Sequence, residues 1–156
     1  MLTRAEKAKQ RWGGNNQAID HWLNERQQLL VGYCQLAGLP PYTKDQQELP
    51  AIESIREFCG QLVDYVSAGH FEVYDHITRE HVSRGHEIGR LTDDLFPLIA
   101  DTTDIALDFN DRYGNIAADS EFATFDRDLS ALGEAIELRL EFEDRLLGDL
   151  DQQSLL

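Results

Sequence analysis

The chain has 156 residues, with 14 Lys+Arg against 29 Asp+Glu, a net charge of -15 with histidines neutral, and 42% hydrophobic residues. That length suits one domain over residues 1–156, and the apolar fraction excludes a wholly disordered chain. A polyanionic chain is repelled by duplex DNA and by anionic bilayers, and no apolar run approaches the roughly 18 residues of a membrane span.

A short helix is expected over Thr3–Arg11, and Thr3-Arg4-Ala5-Glu6-Lys7 does not open a signal peptide. From Asn15 to Ala37, apolar residues fall at Ile19, Trp22, Leu23, Leu29, Leu30, Tyr33 and Leu36, the three-and-four spacing of an amphipathic helix. Asn15 or Asn16 supplies the N-cap, and Gly38 the stop before Pro40-Pro41. Pro40 to Pro50 reads as a loop. A second long helix is expected over Ala51–His81, through Ile55, Phe58, Leu62, Val66, Val73 and Ile77, interrupted by Gly69.

A third helical stretch spans Glu87–Tyr113, with Leu91, Leu95, Leu98, Ile105 and Phe109 in phase. Pro97 is expected to kink or restart it. After the Gly114-Asn115 turn, a fourth helix runs over Ser120–Leu150 through Phe122, Phe125, Leu129, Leu132, Ile136, Leu140 and Leu147. Four long helices with short connections predict an all-α, antiparallel four-helix bundle with additional short helices.

Charge is uneven along the chain. Residues 1–30 carry +2, residues 31–80 carry -5, residues 81–115 carry -4 and residues 116–156 carry -8. A basic partner and a soluble, cytoplasmic protein are therefore expected. Cys34 and Cys59 form no Cys-x-x-Cys pair and read as reduced, buried small hydrophobes.

Some charged residues fall where helical phase expects a hydrophobe. Arg26 lies between Leu23 and Leu30, His70 between Val66 and Val73, and Arg139 and Glu143 between Ile136 and Leu147. A buried charge is costly unless paired and hydrogen-bonded, so Arg26 and Arg139 require carboxylates. Asp20, Asp64, Glu143 and Asp144 are the candidates. The plainer alternative is snorkelling at a helix edge.

An enzymatic or metal-binding reading finds little support in the motifs. A di-iron bundle needs Glu-x-x-His, and none of the five histidines stands three residues after a glutamate. No phosphate loop, Gly-x-Ser-x-Gly or His-Glu-x-x-His is present. No cofactor is expected, and no catalytic residue stands out.

The run Leu62-Val63-Asp64-Tyr65-Val66-Ser67-Ala68-Gly69-His70-Phe71-Glu72-Val73-Tyr74 resembles the signature of the Rsd/AlgQ family of bacterial anti-sigma regulators. Ile19 through Leu30, and Gly133 through Leu146, agree with the same family in order and spacing. The resemblance implies a four-helix bundle that binds the C-terminal domain of the primary sigma factor in a one-to-one complex, with no direct contact to nucleic acid or membrane. That domain reads the upstream promoter element with a helix-turn-helix, and an acidic bundle can compete for a surface built to meet phosphates. Carried over to this chain, Asp20, Arg26, Asp64, His70, Glu143 and Asp144 are expected to form an interior polar network. His21, Trp22, Phe71, Glu72 and Asp75 are expected at the partner surface. An acidic adaptor for another basic regulator, or a metal-binding bundle, are the alternatives.

Overall fold

A computed structural model describes residues 2–14, 17–39, 50–68, 79, 94–117 and 123–152, with Ala68 and residues 149–152 as backbone only. Among the described residues lie five helices: α1 (Leu2–Trp12), α2 (Gln17–Ala37), α3 (Ile52–Ala68), α4 (Phe96–Tyr113) and α5 (Phe125–Gln152). No strand occurs among the described residues.

Helices α2 to α5 run up and down around one core. The pairings fix their directions. Trp22 stacks on Tyr65 while Tyr33 meets Phe58, so α2 and α3 are antiparallel. Arg139 reaches Thr102 while Arg112 reaches Asp128, so α4 and α5 are too. Arg26 bonds Asp144 and Tyr33 bonds Leu129, which closes the ring between α2 and α5. The expected four-helix bundle is thus present, and α1 is the additional helix, packed on α2 through Ala5, Ala8 and Trp12.

The apolar stripes of α2 and α5 match their expected phase. Ile19, Trp22, Leu23, Leu29, Leu30, Tyr33 and Leu36 are buried on α2; Phe125, Leu129, Leu132, Ile136, Leu140 and Leu147 are buried on α5. Helix α2 stops at Gly38, whose φ of 69° suits glycine. There the Leu39 N–H donates to the Cys34 carbonyl at 3.0 Å, the longer bond of a Schellman turn. Pro97 lies in the first turn of α4, where its missing N–H costs no intrahelical bond. On α3, Ile55, Phe58, Leu62 and Val66 are buried. The expected Gly69–His81 and Glu87–Asp93 portions, the Asn15 and Asn16 cap and most of the Pro40–Pro50 loop lie outside the described residues, apart from Arg79.

One expected stripe differs. Leu98 and Ile105 were placed in phase with the α4 core, yet they are 40% and 43% exposed. Leu95 and Phe109 of the expected stripe are buried, and Ile99, Thr102, Ala106 and Tyr113 take the place of Leu98 and Ile105 on the buried face. A spacing of seven keeps Leu98 and Ile105 on a common line, but that line lies at the rim of the α4–α5 contact, not beneath it.

Candidate functional site

Arg26, Arg139 and Glu143 are buried polar residues set in two apolar stripes, Arg26 on α2 and the other two on α5. They meet because Arg26 faces α5 from α2, while Arg139 and Glu143 lie one turn apart on α5. Glu143 is fully buried and serves as the hub. Its Oε1 accepts from Arg139 Nε at 2.8 Å, and its Oε2 accepts from the Tyr65 hydroxyl of α3. Arg26 Nη1 stands 3.6 Å from the same carboxylate.

Each guanidinium has further partners. Arg26 Nη2 donates to Asp144 Oδ1 at 2.8 Å, and Asp144 also pairs with Arg4 of α1 at 3.5 Å. Arg139 Nη1 donates to Thr103 Oγ1 at 2.7 Å and Thr102 Oγ1 at 3.2 Å on α4. The Thr102 hydroxyl in turn donates to the Ile99 carbonyl at 2.6 Å. The Arg139 guanidinium also lies 5.5 Å from the centre of the Tyr65 ring, within cation–π range. The network therefore ties all five helices together with two buried cations against two carboxylates.

Burial alone would pull the Arg26 guanidinium down, but Tyr65, Glu143 and Asp144 outweigh it and push it above its ordinary value. Arg26 therefore remains charged in the folded chain. The evident role of the network is to fix helix positions, since every member is held by groups from another helix.

The expected members divide. Arg26, Glu143 and Asp144 belong to the network, and Arg139 completes it. Asp20 does not: it sits in the first turn of α2 and accepts from the Gly14 N–H at 2.7 Å, joining the α1–α2 turn. Asp64 is exposed, because the α3 residue turned inward is its neighbour Tyr65. Tyr65, Thr102 and Thr103 were missed. Tyr65 carries a signal, three residues after Leu62 on the buried stripe with a hydroxyl that demands a partner.

The surface candidates also divide. His21 is exposed and pairs with Glu25 at 3.0 Å. Trp22 was expected at the partner surface but is fully buried, stacked on Tyr65 with ring centres 6.4 Å apart. Its large ring gains more by filling the α2–α3 interface than by facing solvent. His70, Phe71, Glu72 and Asp75 lie outside the described residues. Among the described residues no group of three His, Cys, Asp or Glu side chains is placed to hold a metal ion, and no helix is long and apolar enough to cross a membrane.

Comparison with known proteins decides the family. Residues 1–151 match the family described as "Regulator of RNA polymerase sigma(70) subunit, Rsd/AlgQ". The chain belongs to the Rsd/AlgQ family. It is 39% identical over 148 residues to the "Regulator of sigma D" of Yersinia pseudotuberculosis (strain IP 31758), covering 94% of this chain and 87% of that protein. The protein of that name from Yersinia enterocolitica is 38% identical, with 94% and 88% covered. The one from Salmonella arizonae is 35% identical, with 94% and 90% covered. In this Rsd/AlgQ chain, the polar network falls within the matched residues.

Proposed function

We propose that the protein is an anti-sigma factor that captures the C-terminal, promoter-reading domain of the primary sigma factor and withholds it from RNA polymerase. The family match over residues 1–151 carries this reading. It acts in the cytoplasm by stoichiometric binding, without a catalytic step, as a monomer in a one-to-one complex.

The physics supports the choice of partner. A helix-turn-helix domain presents Lys and Arg to phosphates. A chain of net charge -15 attracts such a surface and speeds encounter with it. The end of the bundle where Trp22 stacks on Tyr65 presents the exposed neighbours His21 and Asp64. We assign the sigma contact to that end, with Phe71, Glu72 and Asp75, which follow Asp64 in the chain, as further contacts. Trp22, Tyr65 and the Arg26–Glu143 pair form its rigid floor.

Mixing the protein with the isolated sigma C-terminal domain at tens of micromolar and low salt, then sizing the mixture, tests the reading. Co-elution at equal stoichiometry is expected, weakening as salt is raised. Separate elution of the two proteins overturns it.

A further inference from the structure

On both α4 and α5, large apolar side chains remain open to solvent. Leu98 and Ile105 are 40% and 43% exposed on α4, and Leu138 is 50% exposed on α5. Ile105 and Ala131 line the same outer groove, about 160 Å³ in volume, together with Asp108 and Arg112. Leu98 stands seven residues before Ile105, and Leu138 seven after Ala131, so each pair keeps to one edge of its helix. Because α4 and α5 are antiparallel, the two edges run side by side. The result is a seam with an apolar residue every two turns on each wall.

The rim of this seam is acidic. Asp101, Asp104 and Asp108 are exposed on α4, and Glu134 is exposed on α5. Arg112, the cation within the groove, is already engaged by Asp128 at 2.7 Å. An apolar trough between two helices, edged with carboxylates, fits an amphipathic helix whose flanks carry Lys or Arg. A second copy of this chain fits poorly, since it would set two acidic rims against each other.

We propose that the α4–α5 groove is a second docking surface, on a different pair of helices from the sigma contact assigned to α2 and α3, and that its occupant is a basic amphipathic helix of a partner protein. The occupant's apolar residues, at three-and-four spacing, lie along Ile105 and Leu138. Its cations meet Asp101, Asp108 and Glu134.

A synthetic helical peptide of Leu and Lys patterned on that spacing is the probe, with a scrambled peptide of identical composition as control. Isotope-labelled full-length protein is titrated with each and followed by amide shifts. The patterned peptide is expected to perturb α4 and α5 and to bind at least about ten-fold more tightly than the scrambled one (a 1.4 kcal/mol difference). An Ile105→Gln/Leu138→Gln variant is expected to lose that advantage while keeping its melting temperature within a few degrees. Asp101→Asn/Asp108→Asn, which touches no packing, is expected to slow association and flatten its salt dependence. Equal binding of both peptides, or shifts centred on α2 and α3, overturns the proposal. Loss of sigma-domain binding in the Ile105/Leu138 variant also overturns it, because the two surfaces would then be one. Failure of the unaltered protein to bind the sigma domain overturns the function proposed above and leaves the peptide result to stand on its own.

Discussion

The Tyr33 ring of α2 lies directly on Gly133 of α5, so that a Cβ at 133 would collide with the Tyr33 hydroxyl and stand 2.7 Å from its ring carbon Cζ. The same hydroxyl donates to the Leu129 carbonyl at 2.9 Å, one turn earlier on α5. Gly133 is therefore required for close approach of the two helices, not for backbone freedom.

Gly133→Ala is expected to cost about 1–3 kcal/mol, the usual range for forcing extra volume into a packed interior. Tyr33→Phe is expected to cost about 0.5–1.5 kcal/mol through the lost hydrogen bond. The double variant should cost less than the two together, because removing the hydroxyl relieves the collision. Urea unfolding of the four proteins checks this; strict additivity would mean that the two residues do not meet.

Glu143 accepts from Arg139 and stands 3.6 Å from Arg26, so one carboxylate faces both buried arginines. Glu143→Gln is expected to destabilise by about 3–5 kcal/mol, since it leaves Arg26 and Arg139 charged and under-compensated away from water. Asp144 is 24% exposed at its side chain, and water can replace it. Asp144→Asn is therefore expected to cost only about 1 kcal/mol. Denaturant titrations at neutral pH rank the two; a larger loss at Asp144 would contradict the hub role of Glu143.

Asp128 gathers three donors: the Tyr113 hydroxyl at 2.5 Å, Arg112 at 2.7 Å and Thr124 at 3.1 Å. The Tyr113 bond, with help from Arg112 and Thr124, holds its carboxyl below the ordinary value of 3.8 despite some desolvation. A carboxyl depressed on folding binds fewer protons in the folded chain than in the unfolded one. Its contribution is complete above the unfolded value and lost as pH falls through the folded value. Asp128→Asn is expected to be less stable than the parent at pH 7, by no more than about 1 kcal/mol because water reaches the cluster. The gap should close below about pH 4. Melting temperatures from pH 7 to pH 2 give the comparison, and a gap unchanged by acid would exclude the ion pairing.

Cys34 and Cys59 are free and buried. Burial pushes the Cys59 thiol up to about 11 and raises Cys34 as well, so neither is a thiolate near neutrality. Iodoacetamide at pH 8 is expected to leave both unmodified in the folded protein and to alkylate both in denaturant. Mass spectrometry reads the difference directly; rapid labelling of the folded chain would show that one of them is reachable.

How much was legible beforehand differs from helix to helix. The stripes of α2 and α5 could be read because each contacts the core through a broad apolar face, so that three-and-four spacing and burial coincide. Arg26, Arg139 and Glu143 could be read as interior for the same reason: they interrupt those stripes. Their carboxylate partners could be narrowed only to four, of which Glu143 and Asp144 are the ones that pair. Asp20 and Asp64 sit one position off their stripes and turned outward, while Asp144, equally off-stripe, met Arg26 across the α2–α5 contact. Leu98 and Ile105 followed the period of α4 but not its buried face, because phase gives an angle around the helix and not the position of its neighbours.

By itself the sequence determined α2 and α5 and their apolar faces, the demand of two interior cations for carboxylates, and the acidity that favours a basic partner, since each depends on local spacing or composition. Only the tertiary structure decided that Glu143 joins both arginines to Tyr65, that Trp22 lies inside, and that an apolar seam stays open between α4 and α5. Those facts depend on which helix stands beside which and at what rotation, and residues as far apart as Arg26 and Asp144 meet only when the chain closes on itself.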